Sequence, residues 1–274
     1  MTTLLGQLPD ELLVHILGFL TDPLDLISIS HCTLLLHRLA FDRYSIRSII
    51  VPNHILDRAL EYGIEWPFQA IKGKKCRNHY LRKASERGHT NVVILLLEHG
   101  ANVHTKNDIP LRQAAQYGHT ETVQCLLQYG ADVHANDDES LKMAANNGYS
   151  ETVALLLDRG ADVHAWYDEP IHLASRNGHT GTVSLLIAHG ADVHAMDDAP
   201  LRQAAQYGYT TTVQLLLDRG ADIHTQDDAP LREASTHGHE ETVQLLLDRG
   251  ADIRAKNDTP LPRKGYTIMV AFNR

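Results

Sequence analysis

The sequence predicts an all-α solenoid of stacked helical units, preceded by a small helical module at the N-terminus. Two observations lead to this fold class. The dipeptide Gly-Ala recurs at an unbroken step of 30 residues, and the same apolar pattern surrounds each copy. A period of this length is typical of repeat proteins, in which each unit stacks on its neighbours instead of closing into a globule. The glycines in this register are Gly100, Gly130, Gly160, Gly190, Gly220 and Gly250.

Each unit carries the pattern of two short helices. In the unit that begins near Pro110, both helices have apolar residues at the spacing of one helical face. These residues are Leu111, Ala114 and Ala115 in the first helix, and Val123, Leu126 and Leu127 in the second. We expect Gly118 to end the first helix, Thr120 to cap the second and Gly130 to end it. Helices this short are not stable alone in water, so each must bury its apolar face against neighbouring units.

The repeated pattern resembles the ankyrin repeat. Pro-Leu-x-x-Ala-(Ala/Ser), Gly-His-Thr, Val-x-x-Leu-Leu and Gly-Ala-Asp-Val follow one another in each unit, with small variations. The resemblance implies six ankyrin repeats over residues 79–259, whose first helices start near Leu81, Leu111, Leu141, Ile171, Leu201 and Leu231. Ankyrin repeats usually have about 33 residues, and these units lack the Asp-Gly-x-Thr of the usual hairpin tip. We therefore expect helix-turn-helix units with short, blunt hairpin loops, similar to the ankyrin proteins of large DNA viruses.

Three further helices are predicted at the N-terminus. The first opens at Leu8-Pro9-Asp10-Glu11, where proline and acidic residues suit the first turn of a helix. It carries a broad apolar stripe, and a second helix follows Asp22-Pro23. A third begins at about Cys32. Helices of this number and length cannot bury so much apolar surface among themselves, so another surface must cover it.

Four landmarks in this segment resemble the F-box across residues 8–44, within a domain that we assign to residues 1–44. They are Leu-Pro-Asp-Glu-Leu-Leu, Ile-Leu-x-Phe-Leu, Asp-Pro-Leu-Asp-Leu and Arg-Leu-Ala. The resemblance implies that the apolar surface binds a Skp-type adaptor, which links F-box proteins to a cullin–RING ubiquitin ligase. Leu36 departs from the family, which usually has an aromatic residue there. The alternative is that these helices only cap the array. The predicted adaptor-binding residues are Leu8, Pro9, Leu12, Ile16, Leu17, Leu20, Pro23 and Leu26.

Two segments flank the predicted repeats. Residues 45–78 contain a pattern like a degenerate second helix, so we expect a helical joint or a capping repeat. The short basic run from Lys72 to Arg77 within it is interpreted as a solvated linker. In residues 260–274, Pro262 and Gly265 interrupt what would be the first helix of a seventh repeat. We therefore expect a truncated repeat or a tail there.

Composition limits the classes of partner. The chain carries 25 Lys and Arg against 34 Asp and Glu, a net charge of −9, and the whole acidic excess follows residue 80. An acidic array is a poor electrostatic match for nucleic acid or an anionic membrane surface, so we expect neither of them as a partner. We also expect the chain to be a monomer. No apolar run is long enough to span a membrane, and the N-terminus lacks the basic start of a secretory signal. The three cysteines form no C-x-x-C motif, which favours an intracellular location, cytoplasmic or nuclear, and host cytoplasm if the chain is viral.

Histidines and aspartates recur once per unit and raise the question of a metal or catalytic site. Equivalent residues lie in successive layers about 8–10 Å apart, whereas zinc needs its nitrogen ligands about 2 Å from one centre. We therefore expect no metal, no cofactor and no enzyme activity. The ankyrin resemblance implies that the Gly-His histidines bond to loop backbone, and the repeated aspartates are expected to brace their turns. Residues at equivalent positions of successive units form a column, and there are three such columns. They are His104, His134, His164, His194 and His224; His89, His119, His179 and His239; and Asp108, Asp138, Asp168, Asp198, Asp228 and Asp258.

Residues that depart from the repeat are the candidates for target binding. The two positions before each mid-unit glycine vary most, and in ankyrin proteins they line the concave groove that holds partners. Trp166-Tyr167 is a second departure, because sister loops have polar or smaller residues there. Exposed aromatic residues are frequent binding anchors; the alternative, that Trp166 packs on its own unit, stays open. The predicted target-binding residues are Arg112, Gln116, Tyr117, Asn146, Asn147, Trp166, Tyr167, Arg176, Asn177, Gln206 and Tyr207.

The order of the modules suggests a function. A docking module joined to a repeat surface is expected of a substrate-recognition subunit of a Skp–cullin–F-box ubiquitin ligase, with the ankyrin groove holding the target. The alternative is an ankyrin scaffold, or a protein that binds host factors, with no link to ubiquitin ligases. Both hypotheses describe a non-catalytic interaction protein.

Overall fold

The computed structural model describes residues 56–57, 60, 71 and 73–252. Between residues 73 and 252, every regular element is an α-helix. The helices are α1 (Lys74–Arg87), α2 (Thr90–Glu98), α3 (Ile109–Gln116), α4 (Thr120–Gln128), α5 (Ala135–Asn146), α6 (Ser150–Asp158), α7 (Ala165–Arg176), α8 (Thr180–Ala188), α9 (Ala195–Gln206), α10 (Thr210–Asp218), α11 (Thr225–His237) and α12 (Glu240–Asp248).

Several predictions concern residues outside these ranges. The F-box-like module over residues 1–44 lies outside the described residues, and so does the tail over residues 260–274. The predicted adaptor-binding residues therefore also lie outside them: Leu8, Pro9, Leu12, Ile16, Leu17, Leu20, Pro23 and Leu26. The linker interpretation of the basic run is wrong for its described part, because α1 already begins at Lys74.

The chain divides into two compact units, Met1–Ser140 and Leu141–Arg274. In the first unit, α1 packs against α2 and α3, α3 packs against α4, and α2 packs against α4. In the second unit, α7, α9 and α11 pack side by side, and each also contacts the helix that follows it. The helices α6, α8, α10 and α12 pack in the same order as a second layer. Each unit thus has one layer of first helices and one of second helices.

The apolar positions of the repeat form the core between these layers. In the second unit, Leu156 and Leu186 of the second helices are fully buried, and Ile171 and Leu201 of the first helices are too. The paired small residues of the first helices, such as Ala204 and Ala205, are equally buried. Alanine side chains allow two helix backbones to approach closely, which the side-by-side packing of the first helices requires. The predicted core spacing is therefore confirmed.

Helix ends follow the prediction at the glycines but not at the threonines. Gly118 and Gly130 have φ angles of +72° and +89°, the left-handed conformation that ends a helix. His119, rather than Thr120, precedes α4, and its side chain makes no capping bond. Hydroxyl groups at the start of the second helices instead bond to a threonine one repeat later. These pairs are Thr90–Thr122 at 2.8 Å, Ser150–Thr182 at 2.9 Å, Thr180–Thr212 at 2.7 Å and Thr210–Thr242 at 2.9 Å.

The predicted hairpin loops are absent between residues 73 and 252. In their place, three consecutive residues adopt left-handed backbone angles immediately before the regular part of α3, α5, α7, α9 and α11; we call each such triplet a tip turn. The tip turns are Lys106–Asp108, Asn136–Asp138, Trp166–Asp168, Met196–Asp198 and Gln226–Asp228, with φ between +48° and +63°. A unit three residues shorter than usual has no room for a hairpin. Asparagine and aspartate, which tolerate this conformation best, occupy many of these positions.

Candidate functional site

The predicted target-binding residues of the second unit lie at the ends of the first helices. Asn146 ends α5, Arg176 ends α7 and Gln206 ends α9, and each has at least partial exposure to solvent. Because α7 and α9 pack side by side, equivalent positions lie on one continuous surface. We call this surface, formed by the exposed and partly exposed residues within 142–147, 172–177 and 202–207 together with Arg232, the first-helix face. The structure thus brings these residues together.

Some of these side chains are held by neighbouring repeats. The Nδ2 of Asn177 donates to the main-chain oxygen of Asn146 at 2.9 Å and to its side-chain oxygen at 3.0 Å. Asn147 donates to the main-chain oxygen of Met143 at 3.0 Å. Tyr207 remains exposed, with its ring centroid 6.4 Å from that of Tyr209. Asn177 is therefore held by the preceding repeat and Asn147 by its own helix, while Tyr207 stays exposed.

The two aromatic residues of the predicted site occupy a tip turn. Trp166 and Tyr167 have φ angles of +54° and +62°, which are uncommon for bulky residues because the side chain crowds the following carbonyl group. Tyr167 is 85% exposed and Trp166 is 49% exposed. Most of the Tyr167 side chain and about half of Trp166 are therefore in contact with water, whereas the left-handed backbone is common to all five described tip turns.

Trp166 is also partly packed. The Nζ of Lys142 lies 4.1 Å from the centroid of its ring, close enough for a cation–π interaction. The same Nζ lies 3.3 Å from Oε2 of Glu169. One face of the indole therefore contacts a lysine from the preceding repeat, and about half of the side chain stays in water. This contact is with the preceding repeat, so it is not the packing of Trp166 on its own unit that the alternative describes.

A column of basic residues on the first helices supports the tip turns. The Nε of Arg202 donates to the main-chain oxygen of Asp197 at 3.1 Å, and its Nη2 donates to that of Met196 at 3.1 Å. Arg232 donates in the same way to the main-chain oxygens of its own tip turn. Lys142 and His172 take this position in the two preceding repeats. The tip turn of Trp166 therefore has a histidine where its neighbours have an arginine or a lysine.

His172 lies among charged groups. Burial lowers the pKa of its imidazole below the ordinary value, the nearby charge of Glu169 raises it, and the cations Arg176 and Arg202 lower it further. The charged groups that act on His172 are therefore Glu169, Arg176 and Arg202. The sequence prediction included Arg176 and, from the basic column, Arg112, but it missed Lys142, His172, Arg202 and Arg232. The repetition of a basic residue at this position could have identified the column in the sequence. Because only basic residues occur there, the position does not stand out as a departure from the repeat.

The first unit has a smaller set of predicted residues. Arg112 forms an ion pair with Glu139 and donates to the main-chain oxygens of Lys106 and Asn107 at 3.2 Å. Gln116 is partly exposed, and Tyr117 is exposed with its ring centroid 6.3 Å from that of His119. The charge of Arg112 is thus largely compensated, and Tyr117 is the most accessible group of this set.

The repeated histidines and aspartates connect one repeat to the next. Asp198 accepts a hydrogen bond from Nδ1 of His194 at 3.0 Å and another from the backbone N–H of Asp222 at 2.8 Å. In the other column, Nε2 of His239 bonds to the main-chain oxygen of Gln206 at 2.9 Å. Both expected structural roles are observed, although each aspartate also braces the next repeat. No group of residues suited to a metal ion occurs in the part of the chain that the structure describes.

Comparisons with known proteins agree with this repeat architecture. The family profile "Ankyrin repeats (3 copies)" matches residues 54–137 and 141–227, and the profile "Ankyrin repeat" matches residues 226–258. A search of curated proteins finds no match. Among solved structures, the chain is similar to the human ASB11 ankyrin repeat domain, with 27% sequence identity and a TM-score of 0.62. That similarity covers 68% of this chain and 93% of the human domain.

The described residues also contain no helix that is long and apolar enough to cross a membrane. The repeat pattern, the two helical layers and the profile matches over more than half of the sequence lead to one conclusion. The chain belongs to the ankyrin-repeat family.

Proposed function

We propose that the chain is a non-catalytic adaptor that recruits a target protein to a Skp–cullin–F-box ubiquitin ligase. Ankyrin repeats are generally interaction modules that bind target proteins, so a binding role for the repeat region follows from the family. The finer proposal assigns target binding to the ankyrin surface and adaptor binding to the F-box-like segment. It places the protein inside the cell, where cullin ligases act.

The observation that carries the target-binding role is the tip turn of Trp166 and Tyr167. Tyr167 is the most exposed of the large apolar or aromatic residues among those described, and its backbone is strained. The exposure is the property that supports a binding role, because the left-handed backbone is common to all five described tip turns. The adjoining first-helix face offers Arg176 and Tyr207 as further contacts, which extends the surface over several repeats.

The adaptor role depends on the F-box resemblance across residues 8–44. A Skp-type adaptor would cover the apolar stripe formed by Leu12 and Ile16 with their neighbours, and would connect the bound target to a cullin. The second candidate is a scaffold or host-factor-binding protein without a ligase, in which the N-terminal helices only cap the array. Leu36, at a position where F-box proteins usually have an aromatic residue, favours this alternative.

Co-purification separates the two candidates. The ligase proposal requires that a Skp-type adaptor and a cullin co-purify with the intact chain from cells. Leu12→Asp combined with Ile16→Asp should abolish their capture, because two carboxylates would be desolvated in an apolar interface. Proteins held by the ankyrin surface should still co-purify with that variant. Capture of ankyrin-bound proteins without adaptor or cullin, from the intact chain, would favour the scaffold.

A further inference from the structure

We propose that Met196 joins Trp166 and Tyr167 in one docking patch, and that this patch binds a basic peptide segment of the target through an apolar side chain of that segment. This inference rests on the proposed target-binding function and adds a third anchor residue and the chemistry of the partner. It follows from the apolar surface that two neighbouring tip turns share and from the carboxylates that surround it.

Met196 extends the apolar surface of the Trp166 tip turn. It has the first position of its tip turn, which Trp166 has one repeat earlier, and it is 45% exposed. Because α7 and α9 pack side by side, the two tip turns are about 8–10 Å apart. The other described tip turns have Lys106, Asn136 and Gln226 at this position. Among the described tip turns, large apolar residues thus occur there in two adjacent repeats, where they form one patch with Tyr167.

Carboxylates surround this patch. Residues 162–169, 192–199 and 222–229, which we call the tip edge, contain nine Asp and Glu and no Lys or Arg. Three cations reach the tip edge from the first helices. Lys142 pairs with Glu169, and Arg202 and Arg232 donate to main-chain oxygens of their own tip turns. Even when each of these three cations offsets one of the nine carboxylates, six remain, with histidine counted as neutral. The tip edge is therefore acidic overall.

The second helices of the same unit are less acidic than the tip edge. Residues 150–160, 180–190, 210–220 and 240–250 carry six Asp and Glu against three Arg, an excess of three over four repeats. The tip edge has twice that excess in three repeats. A cationic segment is thus attracted most strongly to the edge that carries the apolar patch, and this attraction orients the partner before contact.

Exposed carboxylates alternate with the apolar tip turns along this edge. The backbone N–H of Asp192 donates to the carboxylate of Asp168 at 2.8 Å, so Asp192 lies directly beside the tip turn of Trp166. Asp222 makes the equivalent contact, also at 2.8 Å, with the tip turn of Met196. Asp192 and Asp222 are both exposed. Each apolar tip turn therefore has an exposed carboxylate from the next repeat beside it.

The carboxylates of Asp192 and Asp222 are already oriented. Each accepts a hydrogen bond at 2.9 Å from the backbone N–H two residues later, that of His194 or His224. A neutral donor orients a carboxylate without cancelling its charge. A side chain that is already ordered loses less conformational entropy when it binds, which favours affinity for a cation.

Lysine and arginine side chains suit this arrangement. Their aliphatic stems can cover apolar surface while the charged group reaches a carboxylate. An extended peptide advances about 3.3 Å per residue, so basic residues about three positions apart would meet Asp192 and Asp222. The indole of Trp166 already has the Nζ of Lys142 at 4.1 Å from its centroid, a contact of the kind that a basic partner would add. Nucleic acid would instead bring phosphates against the acidic edge.

The test selects ligands from a random peptide library displayed on phage, with the full chain as bait. We expect the enriched peptides to carry Lys or Arg together with an aromatic or aliphatic residue, and synthetic copies to bind in fluorescence anisotropy. Asp192→Asn with Asp222→Asn should weaken binding by about tenfold or more, since close interfacial charge pairs couple strongly. The amide oxygen of asparagine can still accept the backbone hydrogen bond, so circular dichroism should show an unchanged fold.

Met196→Gln tests the third anchor. Glutamine has a similar length, and Gln226 shows that the first position of a tip turn accommodates it. This variant should weaken peptide binding by about fivefold or more, because less apolar surface is buried. An oligolysine of the same charge as the selected peptides should bind at least about tenfold more weakly than they do, because it lacks the apolar anchor.

A matched control removes two negative charges from the second helices. Glu151 and Glu241 are exposed and lie in the first turns of α6 and α12. Glu151→Gln with Glu241→Gln should alter the affinity for the selected peptides by less than about twofold, because exposed charges away from the contact are screened by salt.

Several results would overturn the inference. These are enrichment of acidic or neutral peptides or of none, oligolysine binding as tight as that of the selected peptides, an equal loss in the control pair, and no loss after Met196→Gln. A dimer of the full chain that Met196→Gln abolishes in analytical ultracentrifugation would also overturn it, because a second copy would then be the occupant. The proposed function is judged separately. If recovery of a target from cells falls after Trp166→Ala with Tyr167→Ala, the proposed target site stands even when this inference fails; if it does not fall, the proposed site fails too.

Discussion

At the scale of single residues, Gly178 shows how a repeat position can depend on the next repeat. Its φ is +72°, and a Cβ atom at this position would lie 2.5 Å from Cδ1 of Tyr209. Gly190 has a similarly positive φ of +99°, but a Cβ there would meet nothing within 4 Å. The two glycines therefore separate the cost of backbone conformation from that of a steric clash.

Gly178→Ala should lower the free energy of unfolding more than Gly190→Ala does. Each change places an L-residue in a left-handed conformation, at a cost of about 1–2 kcal/mol. Only the first also displaces the ring of Tyr209, which lies within a packed repeat. Urea denaturation of both variants gives the comparison, and equal losses of stability would contradict the close approach of Gly178 and Tyr209.

His172 gives a prediction for pH. Because burial lowers its pKa in the folded chain, the unfolded chain binds the proton more readily. Stability is therefore fully present above the ordinary pKa of histidine, about 6.5, and decreases as pH falls through the lower folded value. His172→Gln should reduce the loss of unfolding free energy between about pH 7 and pH 5. An unchanged pH dependence, measured by urea denaturation at both values, would mean that His172 titrates normally.

At the scale of helices, the second helices supply part of the buried core. Leu186 is fully buried in α8, between α6 and α10, whereas its neighbour Ile187 in the same helix is partly exposed. Leu186→Ala should cost about 2–5 kcal/mol, the range for large-to-small changes in a core that relaxes incompletely. Ile187→Ala is the matched control and should cost less. Comparable losses in denaturant titrations would contradict the two-layer packing.

The tip turns give a second prediction at this scale. The tip turn Trp166–Asp168 has Tyr167 at its second position, where the other tip turns have Asn107, Asp137, Asp197 and Asp227. Asparagine tolerates the left-handed conformation well. Tyr167→Asn should therefore leave stability unchanged or raise it by up to about 1 kcal/mol, while weakening target binding. A loss of stability instead would show that Tyr167 packs on the array. Thermal unfolding and a target-binding assay on the same preparation provide the two readouts.

The sequence predicts much of the repeat and less of its surface. The core leucines, the helix-ending glycines and the bonds of Asp198 and His239 follow from periodicity and from the ankyrin resemblance, and the structure confirms them. The tip turns could not be predicted, because three consecutive left-handed residues are rare and have no strong composition signal. The contact of Lys142 with Trp166 joins side chains from two repeats, so it depends on packing that a single repeat does not encode.

At the scale of the whole molecule, the proposed function requires two binding activities in one chain. Adaptor binding is assigned to the predicted apolar stripe of residues 8–26, and target binding to surfaces of the repeats. Residues that share no partner usually contribute independently to binding energies. Changes in one site should therefore leave the other partner bound, and a chain changed at both sites should lose both.

The most direct test is quantitative mass spectrometry of proteins that co-purify with four forms of the chain. The forms are the intact chain, Leu12→Asp with Ile16→Asp, Trp166→Ala with Tyr167→Ala, and all four changes together. We expect the first pair to remove adaptor and cullin but keep the target. We expect the second pair to reduce the target by about thirtyfold, because loss of an aromatic anchor costs about 2 kcal/mol or more, and to keep the adaptor. Unchanged recovery of every partner after the Trp166 and Tyr167 changes would contradict target binding at this surface.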